Sequence, residues 1–492
     1  MKKILALLLA VMMIVSVFAG CSNNPDPSEA PSSSNAPSQS ESDAPQEIVS
    51  LKWVTVGSGM PENYDAWKES LNAYLGEKIG VNLDIEVIGW GDWDTRRNMI
   101  VSTNEPYDIM FANNGTFYND ISIGAFADIG GILESAAPEL AKFIPASYWD
   151  ACRVGGKLYG VPTYKDSSST QYFVYDLAKV EATGLDYANA HTMEEVTPIL
   201  AKMYEADKQP VFIMNKGGLD AIYSRAYDDI SSGFPAIGVS YTGGKAEVVS
   251  VFEQEDVMKD LKTLREWYQA GYVNSDAATL AEAPSYRACF VAQGWPAAAK
   301  TTWGPNMGVG DQCVAIQWGN TVLSNATVQG SMNCISASCK YPEKALQLLE
   351  LVNTDSKVRD ALYYGLEGDN FEYTADGRVH KLNSDWPMAG YTQGTFFQVT
   401  QTDDVDFNQW DEVKALNEQA IASPILGFSF DTQPVADQLA ACVAIYAEYR
   451  PLLMTGTGDP EETVKTMLDA MRASGLDEII TEVQSQIDAW AK

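Results

Sequence analysis

The chain has 492 residues, 46% of them apolar and 20% charged, with 66 acidic side chains against 33 basic ones. A net charge of −33 gives no electrostatic footprint for nucleic acid; it reads as a solvated, repulsive surface. The apolar share fits a globular body, and the length exceeds one ordinary core, so two or three domains are expected.

The first twenty residues read as a signal peptide. Lys2 and Lys3 precede an apolar run from Ile4 to Ala19 broken only by Ser16, shorter than the roughly 20 residues a membrane span needs. Phe18-Ala19-Gly20-Cys21 resembles a bacterial lipobox, with Phe18 where Leu is usual, and implies lipidation of Cys21. Residues 21–47 carry Pro25, Pro27, Pro31, Pro37 and Pro45 and no aromatic side chain. Such a segment cannot bury a core and reads as a disordered tether behind the anchor. No second apolar run of spanning length follows.

The folded body starts near Ile48. Ser50–Val56 is a predicted strand running into Gly57-Ser58-Gly59, followed by a helix through Trp67, Leu71, Tyr74 and Leu75. Val81 to Val87 alternates with period two, a strand signal. Asp92 is placed to cap a helix carrying Met99, Ile100 and Val101, and Asp108–Phe111 is a short buried strand ending at Asn113-Asn114-Gly115. Strands alternating with helices predict βαβ units and a parallel sheet. The pattern continues with strands near 158–162 and 172–175 and helices near 193–206 and 255–270. Pro342 opens a helix with Ala345, Leu348, Leu349 and Val352 inward. At the C-terminus Asp459 and Glu462 flank Pro460 in a capping-box arrangement, Gly475 ends that helix, and Ile479, Val483, Ile487 and Trp490 stripe the last one.

Catalytic signatures are missing. The two histidines, His191 and His380, are far apart, and no G-x-S-x-G, H-E-x-x-H, P-loop or G-x-G-x-x-G occurs, which argues against histidine-dependent nucleophilic catalysis and against metal or dinucleotide sites. Asp404, Asp406 and Asn408 imitate the start of a calcium loop, but Gln409 and Ala415 occupy positions that need Gly and Glu. Neither a metal nor a cofactor is expected. Cys152, Cys289, Cys313, Cys334, Cys339 and Cys442 lie mostly in apolar surroundings and are expected to be buried thiols, with Cys334 and Cys339 the nearest pair. Among 12 tryptophans, Trp90, Trp93, Trp295 and Trp303 fall in loops or at strand ends, where ligands of α/β sheets bind. Flat apolar rings beside amides and carboxylates suit sugars.

Trp93–Met99 followed by Tyr107–Phe111, Gly156–Pro162, Tyr341–Ala345 through Asn353–Asp355, Tyr364–Gly368, Gly427–Asp431 and the helices from Asp459 to Trp490 together resemble extracellular solute-binding protein family 1. The closer likeness is to its large Gram-positive lipoprotein branch with a distinctive C-terminal region. The resemblance implies an α/β, two-lobe periplasmic-binding-protein-like (type II) fold with a hinge and an interlobe cleft. It puts the N-lobe at 48–165 and 328–365 and the other lobe at 166–327 and 366–492. It implies a monomer on the extracellular face of the cytoplasmic membrane that captures an oligosaccharide and delivers it to an ABC permease, and not an enzyme. Its ligand contacts map onto Met60, Asn63, Tyr64, Asn113, Asn114, Tyr164, Lys165, Trp295, Tyr364 and Glu367, and Trp90 and Trp303 join the candidate ligand contacts from their places at a strand end and in a loop. A peptide or other solute is the rival cargo; a secreted carbohydrate-active enzyme and an adhesin are rivals of another class.

Overall fold

The computed structural model describes residues 48–231 and 233–491. The expected signal peptide, Cys21 and the tether lie outside the described residues. In chain order, β1 (Val49–Gly57), α1 (Tyr64–Ile79), β2 (Val81–Gly89), α2 (Trp93–Thr103) and β3 (Ile109–Ala112) begin one lobe, and β4 (Val161–Pro162) leaves it. The second lobe contains β5 (Ser169–Asp176), α3 (Met193–Asp207), β6 (Tyr227–Asp229), β7 (Ile237–Ser240), β8 (Val248–Ser250), α4 (Glu255–Gln269), β9 (Cys289–Gln293) and β10 (Cys313–Leu323). The chain returns with β11 (Met332–Ile335), α5 (Pro342–Thr354) and α6 (Ser356–Tyr363). It crosses again to finish with α7 (Gln409–Gln419), β12 (Ile421–Ala422), α8 (Ala436–Met454), α9 (Pro460–Ala473) and α10 (Leu476–Trp490).

The first sheet runs in the order β2-β1-β3-β11-β4. β2 buries Val81, Leu83, Ile85 and Val87 and turns Asn82 and Asp84 to water, as its alternation predicts. β1 pairs with it in parallel from Val49 opposite Val81 to Gly57 opposite Gly89. The parallel expectation holds for β2, β1 and β3, which are joined by helices. It fails for β11, antiparallel to both neighbours, and for the second sheet, β9-β5-β10-β12, where β5 is antiparallel to β9 and β10. Those strands meet after long excursions, so no crossover helix dictates their direction. Each sheet lies in its own core. Trp53, Trp67, Leu75, Ile109 and Leu348 belong to the first; Phe173, Phe212, Leu264, Trp267, Met467 and Ile487 belong to the second. The six cysteines among the described residues are free, and all but Cys339 are buried.

Two predicted caps behave differently. The Asp459 carboxylate accepts the Glu462 backbone N–H at 3.0 Å, with Pro460 inside the first turn. Asp92 occupies the N-cap position of α2, but its side chain makes no cap bond. Its own backbone is already helical, whereas a capping side chain reaches back from an extended one.

Residues 366–402, expected with the second lobe, pack largely on the first. Met388 joins the first core, Pro387 accepts from the Ser58 backbone at 2.9 Å, and Trp386 packs on Trp67. Arg359, fully buried, explains the arrangement. It donates to the carbonyls of Thr395 at 2.5 Å, Gly390 at 2.6 Å and Gly394 at 3.3 Å. Asn333 of β11 donates to the carbonyls of Thr392 and Gln393 at 3.1 and 3.0 Å. Buried donors of this kind need acceptors, and the 390–395 loop supplies them.

Three crossings join the lobes, at 163–168, at 324–331 and through 403–420. The Thr163 N–H and hydroxyl both donate to the Ser331 carbonyl at 3.2 Å. Asn417 ties the third crossing to the first: its Oδ1 accepts from the Ser168 N–H and hydroxyl at 3.0 and 2.9 Å, and its Nδ2 donates to the Lys165 carbonyl. Ser324 and Thr327 form a reciprocal capping box on the second crossing.

Candidate ligand-binding site

The chain just beyond β3 faces the second lobe across a shared cavity, and ligands of α/β sheets bind beyond such strand ends. Trp90, one residue beyond β2, is 47% exposed. Its ring lies parallel to Tyr391 (8°, centroids 6.4 Å apart) and edge-on to Phe111. Tyr391 is itself 43% exposed, so the pair presents an apolar platform to solvent. The platform is held from below. Gly57 lets the 387–391 strap lie directly on the end of β1; a Cβ there would meet the Pro387 carbonyl at 2.8 Å. Arg359 and Asn333 clamp the other side of the loop.

Beyond β3 the chain turns through Asn113 and Asn114. Asn113 caps its own turn, its Oδ1 accepting from the Gly115 N–H at 3.0 Å, and the Asn114 N–H donates to the Gln329 carbonyl at 2.9 Å. Asn114 opens onto a cavity of about 310 Å³ built from both lobes, within the range of small-molecule sites. Its first-lobe wall has Tyr118 and Asn119, its floor Asn325 and Gln329 from the second crossing, and its far wall Asp228 and Asp229 of β6, with Phe428 and Phe430. Amides, carboxyls and aromatic faces thus converge on one space. A second cavity of about 500 Å³ lies between residues 300–311 and 363–410 and includes Tyr364, Thr301, Asn408 and Trp410.

The remaining expected contacts are dispersed. Trp295 leans on Trp410 and donates to Gln409 at 3.3 Å, beside the second cavity. Lys165 pairs with Asp166 at 2.5 Å on the first crossing. Tyr64 is committed to β2: its hydroxyl accepts from the Ile85 N–H at 2.7 Å and donates to Asp84 at 2.9 Å. Asn63 donates to Asp369 and Asn370, and Met60 is exposed near Val87. Tyr164 is buried among Phe143, Tyr148 and Phe397 and lines neither cavity. Trp303 packs on Tyr172 and against Gly294, and exposed Glu367 borders a shallow dent beside Trp67 on α1. Of the residues expected at strand ends, Asn114 lines the two-lobe cavity and Trp90 is exposed beside Tyr391. Tyr391, Asp228 and Gln329 arrive from distant segments that no local pattern links to the cleft.

Set against known proteins, the profile of the bacterial extracellular solute-binding proteins matches residues 57–302, half of the chain. The chain belongs to that family. A second profile, a domain of unknown function (DUF3502), matches residues 424–492 of this solute-binding protein, the C-terminal region singled out above. A carbohydrate ABC transporter substrate-binding protein of Streptococcus pneumoniae is 27% identical over 456 residues, 90% of this chain and 91% of that one. The crystal structure of an N-glycan transport solute-binding protein (NgtS) from the same species superposes with a TM-score of 0.80 at 26% identity, covering 89% of this chain and 98% of that one. The same protein in complex with Man5GlcNAc gives 0.68 at 26% identity, covering 90% and 98%. The two-lobe fold expected from sequence is therefore the fold of this solute-binding protein.

Proposed function

We propose that this solute-binding protein is the capture component of an ABC importer, and that it takes an oligosaccharide between its lobes without cleaving it. One observation carries the reading. Over about nine-tenths of the chain it follows a relative crystallised with Man1GlcNAc and with Man5GlcNAc, and it offers a two-lobe cavity of amides, carboxyls and aromatic rings beyond β3. The superposition is better on NgtS without a named saccharide (0.80) than on the two complexes (0.71 and 0.68) at the same 26% identity. We read that difference as lobe movement, with this chain in the more open arrangement and closure by hinge rotation at the three crossings. Trp90 and Tyr391 would stack on ring faces, and Asn114, Asn119 and Gln329 would bond hydroxyls. Lipidated Cys21 and its tether would hold the body on the extracellular face of the membrane, within reach of the permease.

The test is thermal unfolding of residues 48–492 against mannose-terminated N-glycan fragments, other oligosaccharides and peptides. A ligand at 100 times its Kd adds about 2.7 kcal/mol. One glycan class should raise the midpoint and be recovered intact. Trp90→Ala should weaken that glycan roughly tenfold, about 1.4 kcal/mol, and leave the ligand-free midpoint unchanged. Recovery of a shortened glycan would make the protein an enzyme, and a shift with peptides alone would change the cargo.

A further inference from the structure

Asp228 is an unusual wall for a binding cavity. It sits in the middle of β6, is 2% exposed, and faces the two-lobe cavity. None of the residues lining that cavity is a lysine or arginine, and among the described residues no ion pair involves Asp228. The nearest basic residue in sequence, Arg225, is committed elsewhere: it bonds Asp260 and lies over the Trp318 ring at 5.0 Å. The groups around Asp228 are neutral or acidic: the hydroxyls of Ser324 on the second crossing and Ser423 just after β12, Tyr118 on the first lobe, Tyr241 beyond β7, and Asp229 beside it on the same strand. An ionised carboxylate cut off from water and without a cation is far costlier than its neutral form. Burial, reinforced by Asp229, accordingly pushes the Asp228 carboxyl up to about 8.

We propose that Asp228 contacts the cargo as a neutral carboxylic acid, donating a hydrogen bond to a sugar oxygen, so that capture retains a proton and weakens under alkaline conditions. The proposal rests on the assignment of the two-lobe cavity as the cargo site. A protonated carboxyl offers one O–H donor together with acceptor capacity, so it can bridge a ring oxygen and a neighbouring hydroxyl, which an ionised carboxylate cannot do. Closing the lobes removes the remaining water from this wall and favours the neutral form further. The sign follows: affinity is fully present below the free-state value of about 8 and declines as the pH rises through it.

Calorimetric titration of wild type, Asp228→Asn and Asp229→Asn with the bound glycan from pH 6 to pH 9.5 tests the idea. Wild-type Kd should be flat to about pH 7.5 and then rise by on the order of tenfold per unit. Asp228→Asn, a neutral side chain of the same shape, should bind at pH 7 within a few-fold of wild type and show no alkaline rise. Asp229→Asn should keep the rise. In the ligand-free protein, the infrared difference spectrum of wild type against Asp228→Asn at pH 7 should contain a protonated-carboxyl band. A wild-type Kd that is independent of pH, or an affinity that increases with pH, overturns the proposal and leaves the cargo assignment intact. A missing carboxyl band overturns it whatever the cargo. If no glycan binds at any pH, the cargo assignment fails and this proposal fails with it.

Discussion

Arg359 fastens the 390–395 loop to the first lobe. It is fully buried, no carboxylate among the described residues is bonded to it, it serves three carbonyls of the 390–395 loop, and burial draws its guanidinium down to about 10. Arg359→Met should cost about 3 kcal/mol in denaturant unfolding, since it strands those carbonyls away from water. It should also lower glycan affinity, because the loop carries Tyr391. A variant that loses stability but keeps its affinity would separate the clamp from the platform. At this scale the sequence is legible only where placement follows a local rule. Trp90, Asn113 and Asn114 stand just beyond the strands that the sequence predicts. Tyr164 stands in an equally promising place after β4, yet a ring packed by Phe143, Tyr148 and Phe397 is an interior residue. Which neighbours arrive from 200 residues away is not written in its surroundings.

Elements were legible in proportion to their periodicity. β2 alternates cleanly, and α10 buries Ile479, Val483 and Ile487 as their spacing predicts, while Trp490, expected on the same stripe, is 45% exposed at the helix end. The directions of β5, β9 and β10 were not legible, because period-two patterning is the same in parallel and antiparallel pairs. Cross-element charge was also hidden. Lys52 of β1, Glu86 of β2, Arg96 of α2 and Glu105 form one network: Arg96 grips both carboxylates at 2.6–2.7 Å and Lys52 reaches Glu86 at 2.8 Å. Chiefly through Arg96, the Glu105 carboxyl falls from 4.5 to about 2. A lowered carboxyl value stabilises the fold above its ordinary range and is lost as the pH falls through the lowered value. The network's contribution should therefore persist at pH 6, decline below about 4.5 and vanish near 2. Arg96→Met should lower the unfolding midpoint at pH 6 and converge with wild type towards pH 2. Equal losses at both extremes would assign the effect to packing of the Arg96 stem.

For the molecule as a whole, three crossings and two separate cores specify a hinge, and cargo should make the body smaller. X-ray scattering should record a decrease in radius of gyration on saturation with the bound glycan, and an unchanged value would mean capture without closure. The lobe plan was readable only as a resemblance; the boundary at 366 was not, because it depends on Arg359 and Asn333 finding acceptors. The position of β11 has a consequence for how the chain is made. β11 lies between β3 and β4, and Asn333 accepts from the Trp53 indole N–H at 3.2 Å across 280 positions of sequence. Until residue 335 has been synthesised, the first sheet is split and β3 has a bare edge, a template for pairing with other chains. Contacts so remote in sequence form late and slowly. A nascent chain of this design stays loose until most of it exists, so it can still be threaded through a membrane before it closes, while any product truncated short of β11 becomes a seed for aggregation.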